Sequence, residues 1–232
     1  MVFGGTGRIG VLGGIGPEAT GLYYNKLIRQ LQRSGMISSN RDFPHILINS
    51  IPAPELIHET ILPEELEHYR AGLLELDKLG VEFIVMVCNT IHLYYDYLQS
   101  AISTPILDLR KELLFDLHLR NIKSTTVIGT PSTIKEGLYD FPGIRNLHPT
   151  TKEMQSLSRA IFLFNKGIEK TQQRAAVRAI CEKYLGRGAD TIILGCTEFA
   201  AMLEDDHFSK ISTIDVLVDA TIRRSYRRVG GI

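Results

Sequence analysis

Apolar, β-branched runs alternate with amphipathic helical stretches along the whole 232-residue chain. This alternation is typical of a parallel β-sheet whose strands are joined by crossover helices. Strands are predicted at residues 8–12, 45–49, 83–87, 105–107, 126–130, 191–194 and 213–214. Helices are predicted at residues 17–33, 63–79, 90–100, 110–119, 131–139, 151–166, 168–185 and 216–228. The pattern therefore predicts an α/β fold from end to end.

The pattern restarts at the strand 126–130, and no low-complexity linker divides the chain. Two compact lobes joined by short crossings fit this organisation better than two independent domains. We expect one lobe at residues 1–102 plus 214–232 and the other at residues 103–213. Each is expected to hold a four-stranded parallel sheet flanked by helices, with a cleft between the lobes.

Two of the predicted strands end in a similar way, with a thiol followed by polar residues. The run Ile-Val-Met-Val leads into Cys88, Asn89 and Thr90, and the run Ile-Ile-Leu-Gly leads into Cys196 and Thr197. Ligands bind α/β sheets where strands end and helices begin. The amides and dipole of a helix N-terminus are expected to lower a thiol's pKa below its usual value of about 8.5. Two such thiols facing one cleft can remove a proton from one side of a carbon and return one from the other.

The composition narrows the possible partners. Lys+Arg and Asp+Glu both number 26, so no overall charge indicates nucleic acid or an anionic membrane. No apolar stretch approaches the roughly 20 residues of a membrane span, and no signal sequence opens the chain, so a cytoplasmic location is expected. The cluster of Arg223, Arg224, Arg227 and Arg228 is interpreted as a solvated face of the last helix rather than an anion site.

Cysteine usage excludes two further classes. Three cysteines are too few and too far apart for a secreted disulfide framework or a closed zinc site. Cys181 lies in a helix-like stretch and is expected to be a buried packing residue.

Two glycine-rich segments lie near the start of the chain. The stretch from Gly5 to Gly10 matches G-x-G-x-x-G, but it lacks the preceding strand and following helix of a dinucleotide site, so no NAD binding is expected. Residues 13–17, Gly-Gly-Ile-Gly-Pro, do lie between a strand and a helix. This loop is either a carboxylate site built from backbone amides or a simple tight turn, and both interpretations stay open.

Four segments carry a family resemblance. They are Leu-Gly-Gly-Ile-Gly-Pro-Glu-Ala-Thr at residues 12–20, Cys-Asn-Thr-Ile-His at 88–92, the stretch 129–139 and Leu-Gly-Cys-Thr-Glu at 194–198. Together and in this order they resemble the aspartate/glutamate racemase family, and within it the cofactor-independent aspartate racemase branch. The resemblance covers nearly the whole chain. It implies two pseudo-symmetric α/β lobes, a substrate cleft between them, usually a homodimer, and racemisation without pyridoxal phosphate, metal or nucleotide.

The resemblance also assigns roles by motif position. Cys88 and Cys196 match the two bases that act on opposite faces of the substrate's Cα, since inversion needs a proton acceptor on one face and a donor on the other. The implied substrate contacts are Gly14, Asn49, Ser50, Asn89, Thr90, Thr130, Thr133, Lys166 and Thr197. From the residues alone, Thr90 and Thr197 fit helix caps equally well, and Lys166 fits an ordinary cation at a helix C-terminus.

Two further residues lie beside the cysteines. His92 comes four residues after Cys88, on the same predicted helix face. Because no third and fourth ligands follow at suitable spacing, packing or tuning of the thiol is favoured over metal binding. Glu198 either orients its neighbours or ends a hydrogen-bond network. No metal and no other cofactor is expected.

The chain departs from the family in the loop after the second strand. Aspartate racemases typically carry an arginine there that holds the side-chain carboxylate in bidentate fashion. Residues 49–56 here read Asn-Ser-Ile-Pro-Ala-Pro-Glu-Leu, with Leu56 at that position. Because a buried carboxylate without a cation is costly, either another residue compensates, with Lys26, Arg110 and Lys135 as candidates, or the substrate side chain differs.

The sequence therefore predicts an enzyme for small molecules, a cofactor-independent amino-acid racemase with aspartate or glutamate as default substrate. A decarboxylase or isomerase acting on malonates, maleate or hydantoins keeps the fold, but relatives with one cysteine favour decarboxylation and this chain has both. The other alternative is a binding protein or a thiol redox protein, the latter with a disulfide between Cys88 and Cys196 if their Cα atoms lie within about 7 Å.

Overall fold

Two parallel β-sheets, each covered by helices, form the framework of the chain. The computed structural model describes residues 7–52, 54 and 62–226. The α/β class with parallel sheets and flanking helices is thereby confirmed. The division into lobes at residues 102/103 and 213/214 stays a prediction.

The first sheet holds three strands in the order β2-β1-β3, namely β1 (Arg8–Gly13), β2 (His45–Ser50) and β3 (Phe83–Met86). Val85 and Val87 face one apolar cluster, while Ile84 and Met86 face a second cluster on the other side of the sheet. Both faces are thus buried, which explains the continuous apolar run before Cys88. The helices of this part are α1 (Pro17–Arg33), α2 (Pro63–Lys78), α3 (Tyr95–Ser100) and α4 (Leu109–Leu119), with a 3-10 turn at Thr90–Tyr94.

The second sheet holds four strands in the order β5-β4-β6-β7. They are β4 (Ser124–Gly129), β5 (Arg145–Asn146), β6 (Thr191–Gly195) and β7 (Lys210–Ser212). The helices are α5 (Pro131–Lys135), α6 (Thr151–Asn165), α7 (Lys170–Gly186), α8 (Thr197–Met202) and α9 (Thr213–Ser225). Cys181 on α7 is fully buried, as expected of a packing residue.

The two sheets have the same strand order. In each sheet, the strand that comes first in the chain lies between the second and the third: β1 lies between β2 and β3, and β4 lies between β5 and β6. A single parallel bridge between Ile84 and Ile106 takes the place that β7 has beside β6. Each cysteine of interest therefore follows the third strand of its sheet.

Two of the predicted strands are not strands in the structure. The strand expected at residues 105–107 is reduced to the Ile106 bridge, and the strand expected at 213–214 is instead the start of α9. Ser212 explains the second difference, because its side-chain hydroxyl accepts a hydrogen bond from the Asp215 amide and begins the helix there. The strand of this region lies just before, at β7. The two-residue strand β5 was not predicted.

The last helix returns to the first half of the molecule. It packs on α1 and α4, and the buried hydroxyls of Tyr23 and Thr221 lie 2.8 Å apart. Arg223 donates to Glu112 at 2.5 Å, and the guanidinium of Arg224 lies 5.0 Å from the centre of the Phe83 ring, so both arginines have protein partners. Arg227 and Arg228 lie outside the described residues.

Two further expectations concern a dinucleotide site and membrane-spanning segments. Residues 8–10 of the G-x-G-x-x-G match lie within β1 itself, as expected, while Gly5 and Thr6 lie outside the described part. Within the described residues, no helix combines the length and the apolar character that crossing a bilayer requires.

Candidate active site

A cavity of about 260 Å³ opens where strands of both sheets end. The first half contributes Cys88, Asn89 and Thr90 to its lining, and the second half contributes Thr130 and Cys196. All strands within each sheet are parallel, so their carboxyl ends lie on one side, as in other α/β ligand sites. The structure thus brings both predicted thiols into one cleft.

Cys88 lies directly after the buried Val87 and is itself only 7% exposed. Burial, with a smaller contribution from the carboxylate of Glu198, raises the pKa of its thiol to about 12. The backbone amides of Ile91 and Thr90 oppose this by stabilising the thiolate. The expected lowering of the thiol pKa is therefore wrong for the cavity as it stands, because desolvation outweighs the amides.

Cys196 lies at the N-terminal end of α8 and is 6% exposed. Its sulfur donates a hydrogen bond to Oε2 of Glu198 over 2.8 Å. Burial first, and then the charge and hydrogen bond of Glu198, raise the pKa of this thiol well above its ordinary value. The prediction of a lowered pKa is wrong here too, because a carboxylate acceptor stabilises the thiol form rather than the thiolate.

Glu198 is a buried carboxylate, 8% exposed, that lines the cavity. Besides Cys196, the hydroxyl of Thr197 donates to it over 3.2 Å and Nδ2 of Asn165 donates over 3.2 Å. None of the ion pairs found among the described residues involves Glu198. Glu198 thus accepts three hydrogen bonds and has no cationic partner among the residues that the structure describes.

Three threonine hydroxyls form a buried triangle across the cleft. Oγ1 of Thr90 lies 3.0 Å from Oγ1 of Thr130 and 3.1 Å from Oγ1 of Thr133, and the last two are 3.0 Å apart. Thr130 also caps α5, since its hydroxyl accepts from the Thr133 amide at 3.2 Å. Thr90 and Thr130 line the cavity, and Thr133 supports them from behind.

Asn89 lines the cavity, and a hydrogen bond holds the oxygen of its side-chain amide. The hydroxyl of Tyr139 donates to its Oδ1 over 2.5 Å, whereas its Nδ2 is buried without a hydrogen-bond partner. A buried donor without a partner is rare and costly, and Asn89 is one of the residues that line the cavity. Tyr139 lies in the segment that carried the family resemblance, but its contact with Asn89 was not predicted.

The cavity lining lacks four of the expected substrate contacts, namely Thr133, Asn49, Ser50 and Lys166. Nδ2 of Asn49 donates to the Gly72 carbonyl at 3.1 Å and to Oε2 of Glu75 at 2.7 Å. Ser50 is exposed at the end of β2. Lys166 caps the C-terminal end of α6, with its ammonium 4.0 Å from the centre of the Phe162 ring.

The glycine turn after β1 reaches the cavity, and the amide of its Gly14 is already used. This amide donates to Oγ1 of Thr20 over 3.0 Å. Gly16 has a φ of +84°, and a Cβ there would lie 2.8 Å from Oε1 of Glu198. At Gly14 the tight-turn interpretation is therefore favoured over a carboxylate site, and Gly16 leaves room for the Glu198 carboxylate.

His92 lies behind the site and is fully buried. Its ring stacks on Tyr95 with 6.3 Å between centroids, and neither ring nitrogen makes a hydrogen bond of good geometry. Burial lowers the pKa of His92 to about 4, so it is neutral near pH 7. No group of three or more potential metal ligands occurs within residues 7–52, 54 and 62–226.

The cavity also contains residues that the sequence analysis missed. Ile15, Pro17, Pro54 and Ile161 form an apolar wall, and Asn165 adds an amide. Ile161 belongs to the buried face of α6, so its pattern in the sequence is that of any core residue. Candidate residues Lys26 and Arg110 are paired elsewhere, with Asp215 at 2.8 Å and with Asp108 at 2.9 Å respectively.

The chain is similar in sequence to known racemases over most of its length. The family model for Asp/Glu/Hydantoin racemase matches residues 12–222. The broad specificity amino-acid racemase RacX of Bacillus subtilis is 31% identical over 213 residues, covering 89% of this chain and 92% of that protein.

Two solved structures share the fold. An aspartate racemase homologue from Pyrococcus horikoshii OT3 superimposes with a TM-score of 0.71 at 24% identity, covering 95% of this chain and 99% of that one. The aspartate racemase of Picrophilus torridus gives a TM-score of 0.78 at 19% identity, covering 94% of each chain. The chain belongs to the Asp/Glu/Hydantoin racemase family of isomerases.

Proposed function

We propose that this chain is a cofactor-independent amino-acid racemase in which Cys88 and Cys196 act on opposite faces of the substrate's Cα. One observation carries the proposal: the two thiols follow equivalent strands of two sheets with the same strand order, and both line one cavity. The likeness to an amino-acid racemase over 89% of the chain supports an amino acid as the substrate. The homodimer and the cytoplasmic location stay predictions.

The surroundings of the two sulfurs give them different roles at the start of a turnover. The amides of Thr90 and Ile91 favour the thiolate of Cys88, whereas the Glu198 carboxylate favours the thiol of Cys196. Cys88 therefore ionises first. A thiolate facing a thiol is the state that inversion needs, since one accepts a proton while the other donates one.

The proton transfers balance in this scheme. The Cys88 thiolate takes the α-proton of one enantiomer and becomes a thiol, while the Cys196 thiol gives its proton to the opposite face of Cα and becomes a thiolate. The other enantiomer reacts by the reverse path. The substrate's α-ammonium adds a positive charge beside Glu198, and a nearby positive charge lowers the pKa of both thiols.

The carbanion-like transition state needs hydrogen-bond donors that are already in place. Nδ2 of Asn89 is such a donor, because Tyr139 holds the other side of the amide. The hydroxyls of Thr90 and Thr130 lie at the same cleft. We assign these groups to the substrate carboxylate, where charge develops as the α-proton leaves.

The test is α-proton exchange in D₂O with reductant and no added cofactor, followed by proton NMR and chiral chromatography. The wild-type protein is expected to invert an amino acid and to place deuterium at Cα. Cys88→Ala and Cys196→Ala are each expected to lose inversion by about 10²- to 10⁴-fold. Each variant should keep slow exchange with one enantiomer only, and the two variants should differ in which one.

Cys181→Ala is the matched control, because this thiol is buried away from the cavity. It should invert like the wild type. The two-base mechanism is wrong if either cavity variant still inverts at the wild-type rate, or if one variant exchanges both enantiomers equally.

A further inference from the structure

We propose that the cavity selects amino acids whose side chains carry no negative charge, so that aspartate and glutamate are poor substrates. This inference rests on the proposed racemase function. It concerns which side chain the site accepts, and it runs against the default acidic substrate that the family resemblance implies.

The charge of the lining is the first argument. Among the described residues that line the cavity, Glu198 is the one charged side chain, and no lysine or arginine is present. A second carboxylate, on the substrate's side chain, would meet a like charge at Glu198 and no lysine or arginine among these lining residues. Both like charge and burial without a partner disfavour an ionised carboxyl group.

The nearby cations are engaged elsewhere. Lys170 pairs with Glu18 at 2.7 Å on the outer surface, and Lys166 lies over the Phe162 ring at 4.0 Å. Neither lines the cavity, and nor do the other candidate cations, Lys26, Arg110 and Lys135.

The undescribed residues that flank Pro54 in the sequence include no lysine or arginine. Residue 53 is alanine and residues 55–61 read Glu-Leu-Ile-His-Glu-Thr-Ile, with two acidic side chains and no lysine or arginine. At the other end, the last described residue, Tyr226, donates to the Asp42 carbonyl at 2.9 Å. Asp42 precedes β2, so this contact lies near the amino-terminal end of that strand, whereas the cavity opens at the carboxyl ends of the strands.

The apolar wall is the second argument. Ile15, Pro54 and Ile161 line the cavity and offer no hydrogen bond from their side chains. Besides the two thiols, the polar side chains of the lining are those assigned to the α-carboxylate and Glu198 with its two donors, Thr197 and Asn165. The charge of Glu198, which has no cationic partner among the described residues, suits the substrate's ammonium group. An apolar side chain gains free energy from burial against this wall, and an amide there loses far less hydration free energy than an ionised carboxylate does.

Isosteric substrate pairs test the inference directly. Asparagine and aspartate, like glutamine and glutamate, differ in charge but hardly in shape. We expect kcat/KM for each amide to exceed that of its acid by at least tenfold, measured by α-proton exchange and chiral chromatography. An acid turned over as well as its amide, or better, overturns the inference.

A cation added to the wall should shift the preference toward the acidic substrates. Pro54 lines the cavity, and its carbonyl, which accepts from the Tyr69 hydroxyl at 2.7 Å, is retained on substitution. Pro54→Arg is expected to raise the acid-to-amide ratio of kcat/KM at least tenfold relative to Pro54→Gln, which has similar length and no charge. Equal ratios in the two variants, with equal melting temperatures, contradict the inference.

The outcomes separate this inference from the function on which it rests. If no amino acid exchanges its α-proton with the wild-type protein, the racemase function itself is overturned. If exchange occurs only with aspartate or glutamate, the racemase function stands and the charge selectivity is wrong.

Discussion

Cys88 and Cys196 have nearly the same exposure, 7% and 6%, but different neighbours. Two backbone amides approach the first sulfur, and a carboxylate accepts a hydrogen bond from the second. Exposure alone would make the two thiols equally reactive. Their difference in ionisation therefore comes from the hydrogen-bonding groups around them, with Glu198 as the main one.

Alkylation measures this difference, because the thiolate is the reactive form. Iodoacetamide should modify Cys88 before Cys196 between pH 8 and 10, and the rate at Cys88 should rise about tenfold per pH unit, since its pKa lies near 12. Glu198→Gln removes the charge that raises the pKa of both thiols and the carboxylate that accepts the hydrogen bond of Cys196. It should therefore lower the pKa of Cys196 more than that of Cys88 and reduce the difference between their alkylation rates. Peptide mass spectrometry gives both rates.

Cys181 provides the internal reference for that experiment. It is 0% exposed and does not line the cavity, so it should stay unmodified while the protein is folded. Equal modification of Cys88 and Cys196 in the wild-type protein would contradict the assignment of Glu198.

The sequence identified single residues where the signal lies in the neighbouring residues of the chain. Cys88, Asn89 and Thr90 were found because they follow a buried strand directly. The direction of the thiol pKa was missed, since it depends on burial and on a carboxylate brought close by folding. Asn165 was missed for the same reason: its contact with Glu198 joins α6 to the start of α8.

At the scale of elements, the turn between β1 and α1 packs its backbone against the backbone of the residues that follow β2. Gly14 has a φ of +85°, and a Cβ there would lie 2.2 Å from the Ile51 carbonyl oxygen. The turn therefore needs glycine both for its left-handed conformation and for this close approach. It holds one wall of the cavity beside the end of β2.

Gly14→Ala is accordingly expected to destabilise the protein by more than about 2 kcal/mol, because the backbone of the turn must move. Gly35→Ala is the matched control, since Gly35 has a φ of +70° but no atom within 4 Å of its added Cβ. It should cost only the conformational strain of about 1 kcal/mol. Urea unfolding of both variants gives the comparison, and equal losses would show that the close approach to Ile51 has no energetic weight.

Element boundaries were predictable where proline marks a helix start. Pro17, Pro63 and Pro131 each stand at the first helical position, and all three predicted starts are confirmed. The boundary near residue 213 was missed, because a serine cap has a weaker sequence signal than a proline. The fourth strand of the first sheet was over-predicted, since a short apolar run does not reveal how many bridges it forms.

At the scale of the whole molecule, buried polar contacts join the two halves at the cavity. Thr90 belongs to the first half and bonds to Thr130 and Thr133 of the second, while Tyr139 of the second half donates to Asn89 of the first. The repeat of the strand pattern was visible in the sequence. These cross-contacts were not, because each joins residues at least 40 positions apart.

Threonine-to-valine substitutions separate the energetics of these contacts from ordinary burial. Thr90→Val keeps the side-chain shape but removes the two hydrogen bonds that Thr90 makes to the second half, so the free energy of unfolding should fall by about 1 to 3 kcal/mol. Thr126→Val makes the same chemical change in β4, where the hydroxyl is buried without a partner. Removing an unpaired buried hydroxyl should leave stability unchanged or raise it by about 1 kcal/mol. Urea unfolding at one pH measures both, and a loss at position 126 as large as at position 90 would show that the threonine triangle contributes nothing specific to joining the halves.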